Sequence, residues 1–321
     1  MKYTFANCHA LQCITISTNI MLIDDHLFSN CHSLQQVIIP NGVLSIGTSA
    51  FSGCHLLQSI TIPTGITSID NRLFYNCYSL QTIIIPDSVT SIGNNSFCDC
   101  QALWSITIPD GVTQIGHAAF WNCHALRSII IPGSVTTIGS SAFCYCRALR
   151  SITIPDSVTL IDNHTFRECD ALQRITIPAN VTLIGNFTFY ACKSLQRITI
   201  PDSVTLIEDN AFNNCSMLRI LSIPNSVSQM NLNVFDNCNF HFLVAPDHLH
   251  LPNAKKSTRH TRLEARRRYF WSRKWHGDCT KATRVMVWYV LICMTRLHNR
   301  NVHLPPLPIE MWFSILAHLP A

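Results

Sequence analysis

Cysteine and histidine recur along the chain at spacings that could support covalent, redox or metal chemistry. The 321 residues include 16 Cys and 15 His. Cys-His pairs occur at 8–9, 31–32, 54–55 and 123–124. Cys-x-Cys pairs occur at 98–100 and 144–146, and "HGDC" at 276–279 is followed by Cys293 and His298. Such pairs could supply a nucleophile with its base, a redox couple or zinc ligands.

The spacing of the cysteines favours a structural role over these chemistries. Eleven of them recur every 23 residues from Cys8 to Cys238, each three residues after a Phe. Free cysteine packs in cores as a small hydrophobic residue, and nothing in eleven equivalent positions selects disulfide partners. The residue after each Cys varies, with Tyr78 and Arg147 in the place of His, and "HGDC" matches zinc-ligand spacing poorly. We therefore expect buried free thiols and no catalytic, metal or cofactor site.

The cysteines belong to a 23-residue repeat that covers three quarters of the chain. Phe opens each copy, from Phe5 to Phe235, and Leu follows each Cys but the last by three residues, from Leu11 to Leu218. Proline keeps the same interval without a slip, at Pro40, 63, 86, 109, 132, 155, 178, 201 and 224. Fixed periods of 20–50 residues are typical of solenoids, whose units bury their apolar side chains only by stacking.

One copy shows how the repeat would fold. In "SITIP", residues 151–155, Ile152 and Ile154 alternate with Ser151 and Thr153, as in a β-strand with one buried face. Pro155 lacks an N–H group and predicts the end of the strand, and "DSVT" predicts a turn. The later apolar residues of the copy would return across the core. Strands of consecutive copies would then pair in parallel, about 4.8 Å apart.

The pattern "F-x-x-C-x-x-L-x-x-I-x-I-P-x-x-V-x-x-I-G" resembles the BspA-like leucine-rich repeats over about residues 3–246. The resemblance implies a right-handed solenoid with a parallel sheet on one face. It also implies a binding or adhesion module, since most members are such modules and many are at cell surfaces. Met230 and His241 depart from the pattern and Pro246 arrives one residue early, so we expect the last copy to be a degenerate terminal cap. The first copy has no such cap.

Composition and the repeat together predict three regions. Residues 1–240 carry 10 Lys and Arg against 14 Asp and Glu, whereas residues 241–321 carry 13 against 4. We predict a mainly β or α/β repeat solenoid of about eleven coils over residues 1–246. A basic linker or helix would follow over 247–275, and a small helical region over 276–321.

The outward positions of the predicted sheet are the best candidates for a binding site, because stacking already explains the core positions. These positions are the fifth, fourth and second residues before each proline, and we call this surface the sheet face. It is neutral over its first half and basic over its second, with Trp104 at the junction. Arg and Trp are common interface anchors. The candidate binding residues are Trp104, Arg127, Arg150, Arg174, Arg197 and Arg219.

The C-terminal quarter offers weaker signals. Lys255–Lys274 is rich in basic and aromatic residues, so nucleic acid or an acidic membrane surface could bind there, although a solvated linker is the favoured interpretation. The longest apolar run, Val285–Met294, is too short for a membrane span, so no transmembrane segment is expected. Residues 304–321 are similar to the opening of an F-box motif. The matching residues are Leu307, Pro308, Glu310, Ile315, Leu316 and Leu319.

These observations favour a non-enzymatic solenoid that binds a protein, of unknown identity, through its sheet face. A substrate-recruiting subunit of a ubiquitin ligase, with the F-box-like residues as its docking element, is one alternative. A cell-surface adhesion protein is another. The N-terminal residues show no apolar signal segment, so an intracellular location, cytoplasmic or nuclear, is expected, with the cell surface as the alternative.

Overall fold

A computed structural model describes residues 3–230, 233–240, 242–246 and 249. This part of the chain contains β-strands and turns and no helix. The strands in chain order are β1 (Cys13–Thr15), β2 (Leu22–Ile23), β3 (Gln36–Ile38), β4 (Ser45–Ile46), β5 (Ser59–Thr61), β6 (Ser68–Ile69), β7 (Thr82–Ile84), β8 (Ser91–Ile92), β9 (Ser105–Thr107), β10 (Gln114–Ile115), β11 (Ser128–Ile130), β12 (Thr137–Ile138), β13 (Ser151–Thr153), β14 (Leu160–Ile161), β15 (Arg174–Thr176), β16 (Leu183–Ile184), β17 (Arg197–Thr199), β18 (Leu206–Ile207), β19 (Ile220–Ser222), β20 (Gln229–Met230) and β21 (Phe242–Val244).

The three-residue strands form the main sheet, and all pairings are parallel. Nine of them, β5 to β21 at odd numbers, follow one another in sequence order, and β1 pairs with β3. The two-residue strands form three smaller sheets on a second side of the coil. Partners hold the same position in consecutive copies, as in Ile152 with Ile175, but Ile220 pairs with Phe242, one position short of a full period. The parallel solenoid is therefore confirmed, and the early Pro246 is matched by a shorter last coil.

Each coil turns because its sequence interrupts the strand at a fixed place. In β13, Ile152 is buried while Ser151 and Thr153 are exposed. After Pro155, the N–H of Val158 donates to the carbonyl oxygen of Pro155 at 3.1 Å and closes a turn. Ile161, in β14, then returns to the core at 2% exposure.

The core consists of columns of equivalent side chains, one from each coil, and most columns repeat one residue type. The Phe column stacks with ring centroids 5.2–6.0 Å apart along its whole length, from Phe5 to Phe235. We call these positions of buried Ile, Val, Phe, Cys and Leu the core columns. No single coil could bury its apolar groups alone, so each coil depends on its neighbours for stability.

The turns that carry the cysteines use left-handed backbone. The residue before each column Cys has a positive φ in every described coil, for example 61° at Asn122 and 62° at Asn214. Asn tolerates this region better than most residues because its short side chain bonds locally. Gly53, with φ of 74°, holds the same position in its coil and has no Cβ to oppose this conformation.

The predicted linker over 247–275, the helical region over 276–321 and the F-box-like residues lie outside the described residues, apart from Leu249. They stay predictions.

Candidate binding surface on the β-sheet

All six candidate binding residues are exposed on the same side of the solenoid. Trp104 is 50% exposed and directly precedes β9. Arg127, Arg150 and Arg219 hold the equivalent place before β11, β13 and β19. Arg174 and Arg197 lie one position later, inside β15 and β17.

Backbone hydrogen bonds join the residues that precede the strands into a continuous column. The N–H of Arg127 donates to the carbonyl oxygen of Trp104 at 3.5 Å, and that of Arg150 donates to Arg127 at 3.0 Å. The N–H of Gln173 donates to Arg150 at 3.1 Å and so extends the column to the coil of β15. Trp104, Arg127 and Arg150 are therefore immediate neighbours on three consecutive coils.

The sheet face carries positive charge without acidic residues to balance it. From Gln12 to Ser222, its positions hold five Arg, no Lys and no Asp or Glu. Within the described part of the chain, carboxylates lie within salt-bridge distance of Arg147, Arg167 and Lys193, which are all on turns, and of none of the five sheet-face arginines. A mutually repelling row of this kind does not stabilise the fold by itself.

Exposed isoleucines add an apolar component to the same face. Ile84 is 79% exposed and Ile130 is 77% exposed, at positions where the neighbouring strands carry Thr107 and Thr153. The sequence shows the alternation of Thr and Ile at this position, but the candidate set chosen from it contained only Trp and Arg. The signal that would have identified these isoleucines was an aliphatic residue at an outward position of an alternating strand.

The column thiols act as hydrogen-bond donors inside the core. Each Sγ donates to the carbonyl oxygen of the Phe 26 residues earlier, at 3.0–3.4 Å, from Cys31 to Cys238. The described cysteines are free, as expected. Burial raises the pKa of Cys77 to about 12, so the thiol stays protonated and is a poor nucleophile.

The Cys-x-Cys pairs show the same behaviour. Cys98 and Cys100 are both buried, and Cys98 Sγ lies 3.4 Å from Asp99 Oδ2. Burial is the main cause that raises the pKa of Cys98 far above its usual range, and the charge of Asp99 is the second. Burial likewise raises the pKa of Cys144 to about 12. Among the described residues, no three His, Cys, Asp or Glu side chains are placed to hold a metal ion.

Three of the four histidines that follow column cysteines, His9, His32 and His55, stack on one another. The ring centroids of His9 and His32 are 4.5 Å apart, and those of His32 and His55 are 4.3 Å apart. Tyr78 continues the stack at 4.7 Å. Burial and the neighbouring His32 lower the pKa of His55. The zinc ligands considered around "HGDC" lie outside the described residues.

A shallow cavity of about 270 Å³ lies beside the two-residue strands β6, β8 and β10. Two of its polar side chains are already bonded to the backbone of the next coil. Asn71 Oδ1 accepts the N–H of Asn94 at 2.7 Å, and Asn94 Oδ1 accepts the N–H of His117 at 2.7 Å. These side chains therefore serve stacking. In the described residues, no helix has the length and apolar character needed to cross a membrane.

Solved structures of leucine-rich-repeat proteins resemble this one. A protein from Bacteroides ovatus ATCC 8483 is 24% identical with a TM-score of 0.52, covering 78% of this chain and 82% of its own. One from Eubacterium ventriosum ATCC 27560 is 21% identical with a TM-score of 0.50, covering 76% and 86%. At this identity the two show the fold alone. A leucine rich cell surface protein from Faecalibacterium prausnitzii A2-165 is 29% identical with a TM-score of 0.52, covering 74% of each chain.

The sequence itself gives the family. No curated protein matches the chain. The model of the BspA type leucine rich repeat region matches residues 1–127, 67–187 and 136–251, which together cover more than three quarters of the chain. The columns of Phe, Cys, Leu and Ile that recur in these residues are the ones that stack in the structure. The chain therefore belongs to the BspA type leucine-rich-repeat family.

Proposed function

We propose that the chain is a non-enzymatic module that binds another macromolecule, in the first place a protein, through the sheet face. The observation that carries the proposal is a set of five exposed arginines on a face without acidic residues. The binding residues are Trp104, Arg127, Arg150, Arg174, Arg197 and Arg219. Stacked parallel strands offer such a face as one extended surface.

The composition of the face supports this proposal. Trp and Arg are enriched among the residues that dominate binding energy at protein interfaces, and Lys, which is depleted there, is absent from the face. Stacking does not require Arg at these positions, because Gln58 and Gln81 hold the same place in earlier coils. The arginines therefore differ from the core columns, where one residue type recurs in almost every coil.

Comparative affinity capture tests the proposal. The intact chain and a Trp104→Ala, Arg127→Ala variant are immobilised, and the retained proteins are identified and their dissociation constants measured. We expect at least a tenfold loss of affinity in the variant for the specific partner. An Arg72→Ala, Lys193→Ala variant, altered on turns, should retain it. Equal dissociation constants for all three chains would refute a role for the sheet face.

The cell surface is a second candidate setting, as an adhesion protein. The Faecalibacterium structure is named a cell surface protein and is similar over 74% of both chains, which supports this alternative over the intracellular location expected from the N-terminal residues. Protease treatment of intact cells, followed by detection with an antibody, tests it. Digestion of the chain while a cytoplasmic marker survives would support the surface location, and full protection would refute it.

A further inference from the structure

The sheet-face arginines form one row, with one arginine on each of five consecutive coils. Arg150 is hydrogen-bonded through its backbone to Arg127, and Arg174 is the register partner of Arg197. Arg219 follows on the next coil, directly before β19. Because neighbouring parallel strands lie about 4.8 Å apart, the row spans about 19 Å with one arginine at each step. We call it the arginine row.

The fold does not require the arginine row. Like charges on neighbouring strands destabilise a sheet. Gln35 and Gln36 hold the two positions of the row in an earlier coil, and their strand pairs in the same parallel register. A row of uncompensated positive charge is therefore available to a partner along the axis of the stack.

Apolar side chains lie at one end of the arginine row. Trp104 lies one coil before Arg127, and its carbonyl oxygen accepts the N–H of Arg127. Ile130 is the last residue of β11, the strand that Arg127 directly precedes. Ile84 lies two coils earlier at the position equivalent to Ile130. The surface thus changes from apolar to basic along the axis, and a partner of matching polarity would contact both parts.

Resting on the proposed function, we propose that the partner is an acidic polypeptide segment that lies along the solenoid axis, across the strands. Its carboxylates would pair with the arginine row, and its apolar end would cover Trp104 and Ile130. Arg pairs with carboxylates in two-pronged hydrogen bonds, which fix such a segment more firmly than a point charge does.

Spacing and composition favour this partner over others. An α-helix with acidic residues at every third or fourth position presents carboxylates every turn, about 5.4 Å apart. An extended chain presents them about 6.7 Å apart on one side, a poorer match to steps of about 4.8 Å. A sulfated glycan could neutralise the arginine row and stack a sugar ring on Trp104, but it has no aliphatic group to cover Ile130.

A labelled synthetic peptide tests the proposal on the full chain. The probe is long enough to cover Trp104 and the arginine row as a helix. It begins with a Leu-rich turn, continues with Glu at every third or fourth position and carries a photoreactive benzophenone. We expect the Arg150→Gln, Arg174→Gln, Arg197→Gln variant to bind it at least tenfold more weakly. Gln occurs naturally at both positions of the row, so this variant should fold. Trp104→Ala should weaken binding severalfold.

The control variant removes the same charge elsewhere. Arg72→Gln, Arg147→Gln, Lys193→Gln changes three turn residues and should bind within twofold of the unaltered chain. Crosslinks should map to residues 104–222. Crosslinks confined to residues 255–274, or equal affinity in both triple variants, would overturn the proposal. So would a heparin fragment that displaces the peptide and binds the Trp104→Ala variant undiminished.

The two proposals can fail separately. If partner capture depends on the sheet face but the acidic peptide does not bind there, the class of partner is wrong and the proposed function stands. If neither depends on the sheet face, the proposed function fails.

Discussion

Core columns and sheet face differ most clearly where they carry the same residue. Ile129 and Ile130 are consecutive in β11, yet Ile129 is 4% exposed and Ile130 is 77% exposed. Equivalent positions to Ile129 are aliphatic in every coil, whereas positions equivalent to Ile130 hold Thr, Ile, Ser or Val. Burial in a stack admits few residue types, and exposure on the sheet admits many.

This contrast teaches where information about function can reside in a repeat protein. Core-column residues are equivalent from coil to coil because each must pack on its own copies in the coils above and below. They say how the chain folds and little about what it binds. The sheet face is free to differ between coils, and its change from neutral to basic near Trp104 is the largest such difference in the described solenoid.

Cysteine reactivity provides the largest expected contrast. Cys13 is exposed on the sheet face, and Cys77 is in a core column. Raising the pKa of Cys77 to about 12 from its usual 9 reduces the thiolate fraction at pH 8 about a thousandfold, and burial further limits access. Iodoacetamide at pH 8, followed by mass spectrometry, should modify Cys13 long before Cys77. Comparable rates in the native chain would contradict the buried column.

The two neighbouring isoleucines provide the second prediction. Ile129→Ala should lower the free energy of unfolding by about 2–5 kcal/mol, because it opens a cavity between stacked coils. Ile130→Ala should change it by less than about 0.5 kcal/mol. Urea denaturation followed by circular dichroism measures both. Equal effects of the two substitutions would show that the sheet face contributes to stability as the core columns do.

Much of this contrast was predictable from the sequence, and the limits have a physical cause. The constant period of the repeat and the alternation in "SITIP" predicted the parallel strands and the buried side of β13. If the alternation of the strand had extended back to Arg150, its side chain would point to the same side as Ile152, which is buried. Because the strand begins only at Ser151, Leu149 fills the core instead and Arg150 is exposed.

The sequence pattern did not predict the contacts between coils. The pattern indicated buried cysteines, but not that Cys146 Sγ lies 3.2 Å from the carbonyl oxygen of Phe120. It placed the histidines in a variable turn, but not in a stack with each other. Both features depend on how one coil sits on the next. The choice of Trp and Arg as binding residues stays a prediction, since composition alone marks them.

Loss of a column thiol provides the third prediction. Cys146→Ala should lower the free energy of unfolding by about 1 kcal/mol, because the buried carbonyl of Phe120 loses the thiol donor and keeps only the N–H of Cys123, at 3.3 Å. Cys146→Ser should cost less than Cys146→Ala, since its hydroxyl can still donate. Cys13→Ala, on the sheet face, is the matched control and should have no measurable effect. A larger loss for Ser than for Ala would mean that the thiol contributes by packing alone.

Protonation of the histidine stack has the smallest expected effect, because His9 is exposed and His32 and His55 lie between core and surface in exposure. The lowered pKa of His55 means that the unfolded chain binds its proton more readily than the folded chain. This contribution to stability is present above about pH 6.5 and is lost as the pH falls through the lower folded pKa. Tyr78 holds the equivalent position on the next coil, so His55→Tyr should keep the stack without the charge.

Thermal melting of the unaltered chain and of His55→Tyr at pH 7.5 and 5.0 isolates this contribution, since the two chains share every other group that titrates between these pH values. The fall in Tm between the two values should be smaller by about 1–2 °C in His55→Tyr than in the unaltered chain. A His117→Tyr variant, exposed and outside the stack, should melt like the unaltered chain at both pH values. An identical fall in all three chains would mean that the imidazole of His55 accepts a proton as readily in the folded chain as in the unfolded chain. The stack would then belong with the sheet face as a set of solvated side chains. A smaller fall in His55→Tyr alone would instead place it with the core columns, where the neighbouring coil sets each residue's properties.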